Sequence, residues 1–137
     1  MLKKLALCFA LLALPAMTSA EEYMCDTTNF GNDGWIPPKI FLSYDPKTDR
    51  AFAYDGIIAS VSKKPVEVKW KRRSETSYQF NWTTNDVKMS NDGSSTVSHR
   101  VILFLDRMTF SMGGQLHGYD NTIRGSGTGK RVGEGQS

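Results

Sequence analysis

The stretch VEVKWK, residues 66–71, decides the fold class. Its apolar members Val66, Val68 and Trp70 alternate with one glutamate and two lysines. The stretch YQFNW, residues 78–82, repeats the pattern with three aromatic side chains. Successive side chains of a strand point to opposite faces, so a period of two is typical of a β-strand with one buried face. Both stretches therefore predict strands that pack one face on a core.

A hairpin is predicted before these two strands, in KIFLSYDPKTDRAFAYD, residues 39–55. Two alternating segments flank DPKTD, which has the proline and aspartates of a tight turn. Ile40, Leu42 and Tyr44 share one side of the first segment. Phe52 and Tyr54 are predicted to face them from the second segment, across the same core.

The rest of the chain predicts further strands and no long helix, because no segment shows a useful apolar period of 3.6. GGQLHG, residues 113–118, is predicted to be a loop. About eight short strands favour an all-β fold, an antiparallel meander closed into a small barrel, since closure removes exposed edges. A two-layer β-sandwich is the alternative. The further strands are IIASV (57–61), VKMS (87–90), TVSHRVILFLD (96–106), RMTFSM (107–112) and YDNTIR (119–124).

The chain divides into four predicted regions. Residues 1–20 have two lysines, a short apolar run and a small-residue cleavage site ending at Ala20, the pattern of a cleaved secretory signal peptide. Residues 21–38 are predicted to be an irregular lead-in, residues 39–124 the antiparallel β domain, and residues 125–137 a flexible glycine-rich tail. The predicted location is the periplasm or the extracellular space, with no transmembrane segment in the mature chain.

The charge balance argues against nucleic acid as a partner. The full chain has 17 basic and 14 acidic residues. Lys3 and Lys4 would leave with the signal peptide, which contains no acid, so 15 basic residues would face 14 acidic ones in the mature chain. A nearly neutral chain lacks the electrostatic footprint of a nucleic-acid-binding protein.

The stretch RGSGTGKR, residues 124–131, superficially resembles a phosphate-binding loop. Such a loop requires a glycine where this chain has Arg124, and a serine or threonine where it has Arg131. No predicted helix follows to direct its N-terminus at a phosphate. The stretch therefore predicts no nucleotide, and no cofactor is expected.

Two surfaces are candidates for binding. Lys69, Lys71 and Arg73 line one face of the VEVKWK strand and its extension. They are predicted to bind an anionic surface such as lipopolysaccharide phosphates or an acidic glycan, unless they are simply solvated. The second candidate is a polar loop near residues 113–118, whose glycines allow a ligand to approach the backbone. Its predicted ligand-binding residues are His117, Tyr119, Asp120 and Asn121.

No catalytic or metal-binding motif is present, so a non-enzymatic protein is expected. Two histidines and scattered acids lack metal-ligand spacing. The alternatives are a small periplasmic hydrolase that uses His117 and Asp120, and a carrier barrel whose apolar interior holds a small ligand. Aromatic side chains in a small barrel can either fill the interior or line such a pocket.

Cys25 remains alone in the mature chain, because Cys8 lies in the predicted signal peptide. A single thiol in an oxidising compartment is buried, capped by a small thiol or paired between chains. Its position near the new N-terminus makes accessibility plausible, so a dimer linked through Cys25 is one expectation.

The order C…GWIPP…YDG…KKPVEVKW…YDNTIRGSGTGK resembles that of small exported β-rich proteins of Gram-negative bacteria, a group of unassigned activity. Such proteins have an early cysteine and a second one near the end, after a GxGxC-like stretch. This chain has Gly129 at that position. The resemblance implies a β fold, export, and a Cys25 that has lost its disulfide partner; it supplies no catalytic residue.

Overall fold

The chain folds into a closed eight-stranded antiparallel β-barrel in the computed structural model, which describes residues 20–31, 35–119 and 122–132. Each strand pairs with the next along the chain, and β8 pairs with β1 to close the barrel. The predicted meander barrel is thereby confirmed over the sandwich. The elements are β1 (Glu21–Asn29), β2 (Lys39–Asp45), β3 (Arg50–Asp55), α1 (Gly56–Val61), β4 (Val66–Ser74), β5 (Ser77–Lys88), β6 (Ser94–Phe104), β7 (Thr109–Leu116) and β8 (Thr122–Arg131).

Side chains fill the interior of the barrel. VEVKWK lies in β4 and YQFNW lies in β5, and the apolar residues of both stretches face inward as predicted. Tyr23, Phe80 and Phe110 are at most 2 % exposed. These three aromatic side chains therefore lie inside the barrel, which favours a filled interior over a hollow one.

The interpretation of residues 125–137 as a flexible tail is wrong for residues 125–131, which belong to β8. A Cβ at Gly127 would overlap the backbone carbonyl oxygen of Asp26 and lie 2.8 Å from Phe110 Cε1. Glycine is thus required there because β1 and the aromatic core approach the β8 backbone closely. Residues 133–137 lie outside the described residues.

The predicted irregular lead-in is also wrong over much of its length, since Glu21–Asn29 forms β1. Tyr23 and Cys25 point inward and are fully buried. Met24 between them is also apolar, and polar residues follow from Asp26 onward, so the sequence shows no clear alternation here. The segment forms a strand because it pairs with β2 along one edge and with β8 along the other.

The predicted strand IIASV is instead the short helix α1. The Asp55 carboxylate caps it, because Oδ1 accepts a hydrogen bond from the Ile58 backbone N–H at 2.8 Å. Ile58 is buried and holds the helix against the barrel. α1 packs on β5. It lies next to the end of the β4–β5 pairing, whose last pair is Lys69 with Asn81.

The hairpin of residues 39–55 forms as β2 and β3, but its predicted inner face is half wrong. Leu42 pairs with Ala53, and these two side chains are buried. Phe52 and Tyr54 point outward and are half-buried. The register with β2, which the sequence does not encode locally, sets which face of β3 is inside.

GGQLHG is not a loop throughout, because its first four residues extend β7 as far as Leu116. VKMS is not a separate strand either, since Val87 and Lys88 continue β5 past an irregularity in its pairing with β6. Only His117 and Gly118 of the predicted loop follow the end of β7. The polar loop is therefore shorter than the sequence indicates.

Candidate functional site: a cationic outer face

Five residues on successive strands form one row across the outside of the barrel. Lys69 on β4 pairs with Asn81 on β5, which pairs with Arg100 on β6. Arg100 pairs with Gly113 on β7, and Gly113 pairs with Arg124 on β8. We call this the cationic row. Neighbouring strands lie about 4.8 Å apart, so consecutive cations in the row are separated by roughly 10 Å at the backbone.

The cationic row is not neutralised by its neighbours on the sheet. Strands β6, β7 and β8 contain no aspartate or glutamate. Within the described ranges, the ion pairs are Lys39–Asp26 and Arg50–Glu67, so neither Arg100 nor Arg124 has a carboxylate partner there. All three cations of the row are exposed. Such a surface attracts anions.

Two grooves lie beside β6 on this outer face. The first groove, about 720 Å³, lies between β4, β5 and β6. The second groove, about 500 Å³, lies between β6, β7 and β8. Both grooves are lined by Ser98 and Arg100, so β6 is the ridge between them. The first groove is lined by Glu67, Val68, Lys69, Asn81, Trp82, Thr83, Ser98 and Arg100. The second is lined by Ser98, Arg100, Ile102, Ser111, Met112, Gly113, Gly114, Gln115, Thr122, Arg124 and Gly125.

The two grooves have different structural causes. The first groove lies where the β4–β5 ladder begins, at Lys69 and Asn81, because the strands separate beyond that pair. The second groove lies over Gly113, which has no side chain to fill the outer space of β7 between Arg100 on β6 and Arg124 on β8.

Glu67 is the acidic residue in the lining of the first groove, and its carboxylate is paired with Arg50. Arg50 donates two hydrogen bonds to its carboxylate, at 2.9 and 3.1 Å. This guanidinium holds the pKa of Glu67 below its usual range, chiefly through the hydrogen bonds. The Arg50 guanidinium therefore largely neutralises the charge of the Glu67 carboxylate. Glu67 detracts little from the positive charge of Lys69 and Arg100.

His117 is joined to this face through Ser98. The Ser98 hydroxyl lies 2.8 Å from His117 Nε2 and 3.1 Å from the hydroxyl of Thr83. These contacts link β5, β6 and the end of β7. One residue of each predicted surface thus lies near β6: Lys69 is across the first groove from it, and His117 is hydrogen-bonded to its Ser98.

The other predicted binding residues contribute less or cannot be placed. Lys71 and Arg73 are exposed on β4 but line neither groove. Tyr119 is 49 % exposed and also lies outside both linings. Asp120 and Asn121 lie outside the described residues. Sequence reasoning missed Arg100 and Arg124, whose only local signal is an outward position on a strand.

The expectation of an accessible Cys25 is wrong. Its side chain is fully buried in the barrel. Burial raises the pKa of the thiol to about 12, with a smaller contribution from the neighbouring Asp26 carboxylate. Because the thiolate is the reactive form, the folded barrel disfavours a disulfide with another chain.

A buried polar cluster lies inside the barrel near α1. The members Asp55, Trp82, Thr84 and His99 each have a buried atom without a hydrogen-bond partner. Burial raises the pKa of Asp55 and lowers that of His99, because desolvation disfavours the charged form of each group. His99 Nε2 lies 3.1 Å from the Trp35 carbonyl oxygen and donates to it. Two titratable groups therefore lie in the core next to α1.

No group of three or more potential metal ligands occurs in the parts of the chain that the structure describes. In the same parts, no helix is long and apolar enough to cross a membrane. Comparison with models of protein families, with curated proteins and with solved structures found no match. The resemblance to exported bacterial β proteins and the signal peptide therefore stay predictions.

Proposed function

We propose that this protein is a non-enzymatic binding protein that recognises an anionic component of the cell envelope on the outer face of β4–β8. One observation carries the proposal: Lys69, Arg100 and Arg124 lie exposed in one row, and three of the strands in that row, β6, β7 and β8, contain no carboxylate. The predicted signal peptide would bring the chain to the compartment where such ligands occur.

The grooves favour the outer face over the barrel interior as the binding surface. The interior is occupied by buried aromatic and aliphatic side chains. A carrier barrel would need that space for its ligand. The outer grooves, by contrast, combine open volume, charge and hydrogen-bonding side chains.

Chromatography on immobilised heparin, a generic polyanion, tests the proposal. The double variant Arg100→Ala/Arg124→Ala removes two charges of the cationic row. The matched control Lys71→Ala/Arg73→Ala removes two charges of the same sign outside the grooves. We expect the first variant to elute at clearly lower salt than the control, because exposed ionic contacts are screened by salt. Equal elution of the two variants would contradict the proposal.

A second candidate function is ester hydrolysis, favoured by the hydrogen bond between Ser98 and His117. A histidine at 2.8 Å can accept the serine proton as the oxygen attacks a carbonyl carbon. Within the described side chains, no carboxylate bonds to the other nitrogen of His117, which places this candidate second. Hydrolysis of p-nitrophenyl acetate that disappears in Ser98→Ala but persists in Thr83→Ala would support it.

A further inference from the structure

The two grooves share a central arginine, and each has a second cation at its far side. Lys69 and Arg100 both line the first groove, and Arg100 and Arg124 both line the second. The cations therefore recur at every second strand, roughly 10 Å apart at the backbone. An anion that fits one groove meets two positive charges, and a longer one can continue over Arg100 into the other groove.

We propose that the ligand is a linear acidic polysaccharide that lies across the strands and occupies both grooves at once. This inference rests on the proposed function and specifies its ligand. A separation of two strands is close to the length of a disaccharide. A chain of uronic acids that runs along the cationic row would thus bring a carboxylate to each cation at alternate sugars.

The linings favour a sugar chain over a cluster of phosphates. Amide and hydroxyl side chains lie between the cations. They can donate hydrogen bonds to sugar hydroxyls and accept hydrogen bonds from them. Gly113 leaves a hollow on the outer face in which a sugar ring can lie against the backbone. The polar side chains are Asn81, Thr83, Ser98, Ser111, Gln115 and Thr122.

The same face is poorly suited to a lipid surface. A protein that lies on a membrane inserts apolar side chains beside its cations. Among the described residues, the large hydrophobic side chains that are exposed, Phe30, Val61 and Tyr119, line neither groove, and Ile102 in the second groove is half-buried. Because the exposed apolar side chains lie elsewhere, the cationic row favours a soluble or surface-linked polyanion over a lipid surface.

The length of the ligand tests whether both grooves are used. We expect isothermal titration calorimetry to show that hexagalacturonate binds about tenfold more tightly than digalacturonate, because a bridging ligand engages the second groove intramolecularly. The fully methyl-esterified hexamer, which has the same length without charge, should bind at least tenfold more weakly than the acid. Equal affinity of the two acidic oligomers would overturn the bridging arrangement.

A variant at Gly113 blocks one groove without touching the other. A Cβ there meets nothing closer than the Ile123 carbonyl oxygen at 3.9 Å, so Gly113→Phe extends outward into the second groove with little strain. We expect it to weaken hexagalacturonate about tenfold, to the level of digalacturonate, with Gly113→Ala as the control. If the phenylalanine variant does not fold, Arg124→Ala provides the same comparison.

The outcomes separate this inference from the proposed function. Retention on heparin that depends on Arg100, without binding of hexagalacturonate, would overturn the polysaccharide and leave anion binding intact. Binding to vesicles containing phosphatidylglycerol but not to hexagalacturonate would overturn it in favour of a membrane. Loss of the charge dependence on heparin would overturn both proposals.

Discussion

A disulfide between residues 25 and 129 is the most informative perturbation of the fold. Cys25 on β1 lies directly opposite Gly129 on β8, across the pairing that closes the barrel. A Cβ at Gly129 would lie 3.8 Å from Cys25 Sγ and 3.3 Å from Leu103 Cδ1. The first distance suits a disulfide after a small adjustment, and the second requires only that a leucine methyl group yields slightly. Gly129→Cys should therefore form the bond on oxidation.

The expected gain in stability follows from the length of the closed loop. A crosslink that closes roughly 100 residues contributes up to about 4.7 kcal/mol in the chain-entropy model, and typical disulfides contribute about 2–4 kcal/mol. Because Leu103 must yield, we expect about 2–3 kcal/mol, which raises Tm by about 10 °C for a domain of this size.

The assay compares the oxidised and reduced variant with Gly129→Ser, which has a side chain of similar size and no bond. Intact mass should show the loss of two hydrogens, and the increase in Tm should disappear with reductant. In the parent protein, native Cys25 should resist iodoacetamide because it is buried and its pKa is raised. Two free thiols in the oxidised variant after unfolding would refute the register of β1 with β8.

Three further predictions concern other parts of the molecule. Gly127→Ala should lower the free energy of unfolding by about 3 kcal/mol, since the new methyl group overlaps backbone and core atoms; a urea titration that shows less than about 1 kcal/mol would contradict this crowding. Asp55→Asn should stabilise the protein at neutral pH. Burial raises the folded-state pKa of Asp55, so the cost of its charge is present above that pKa and vanishes below the unfolded value; the difference between variant and parent in thermal melts should accordingly disappear in acid. Glu67→Gln should change stability by no more than about 1 kcal/mol, because its pair with Arg50 is exposed, yet it should tighten hexagalacturonate binding in calorimetry; weaker binding would argue against the first groove as an anion site.

The sequence predicts the barrel well where alternation is uninterrupted. In β4 and β5, large apolar residues occur at every second position, and these faces are inside as expected. In β3 the alternation is equally regular, but Ala51 and Ala53 are inside while Phe52 is outside. Alternation shows that two faces differ without showing which of them is buried; pairing with β2 decides that.

The glycine-rich segment shows a different limit of local reasoning. Glycine weakens a strand by itself, so GSGTG favours a flexible interpretation. The physical reason for these glycines lies in the crowded space between β1 and the core. A close approach between segments far apart in sequence leaves no local trace other than the absence of side chains.

The candidate site could be predicted only in part for the same reason. Lys69 stands in an obviously basic strand, and the structure places it in the first groove. Arg100 and Arg124 are isolated basic residues in neutral segments. They become a site only through the register that connects β6 to β8 by way of Gly113.

An NMR titration tests most directly whether the anionic ligand binds on the outer face of the barrel. Residues 21–137, labelled with nitrogen-15, are titrated with hexagalacturonate. We expect amide shifts to change at the outer face, around Lys69, Ser98, Arg100, Gly113 and Arg124, and we expect these changes to vanish in Arg100→Ala. Shifts concentrated on inward-facing residues of the barrel, or changes that persist unaltered in Arg100→Ala, would contradict binding on the outer face.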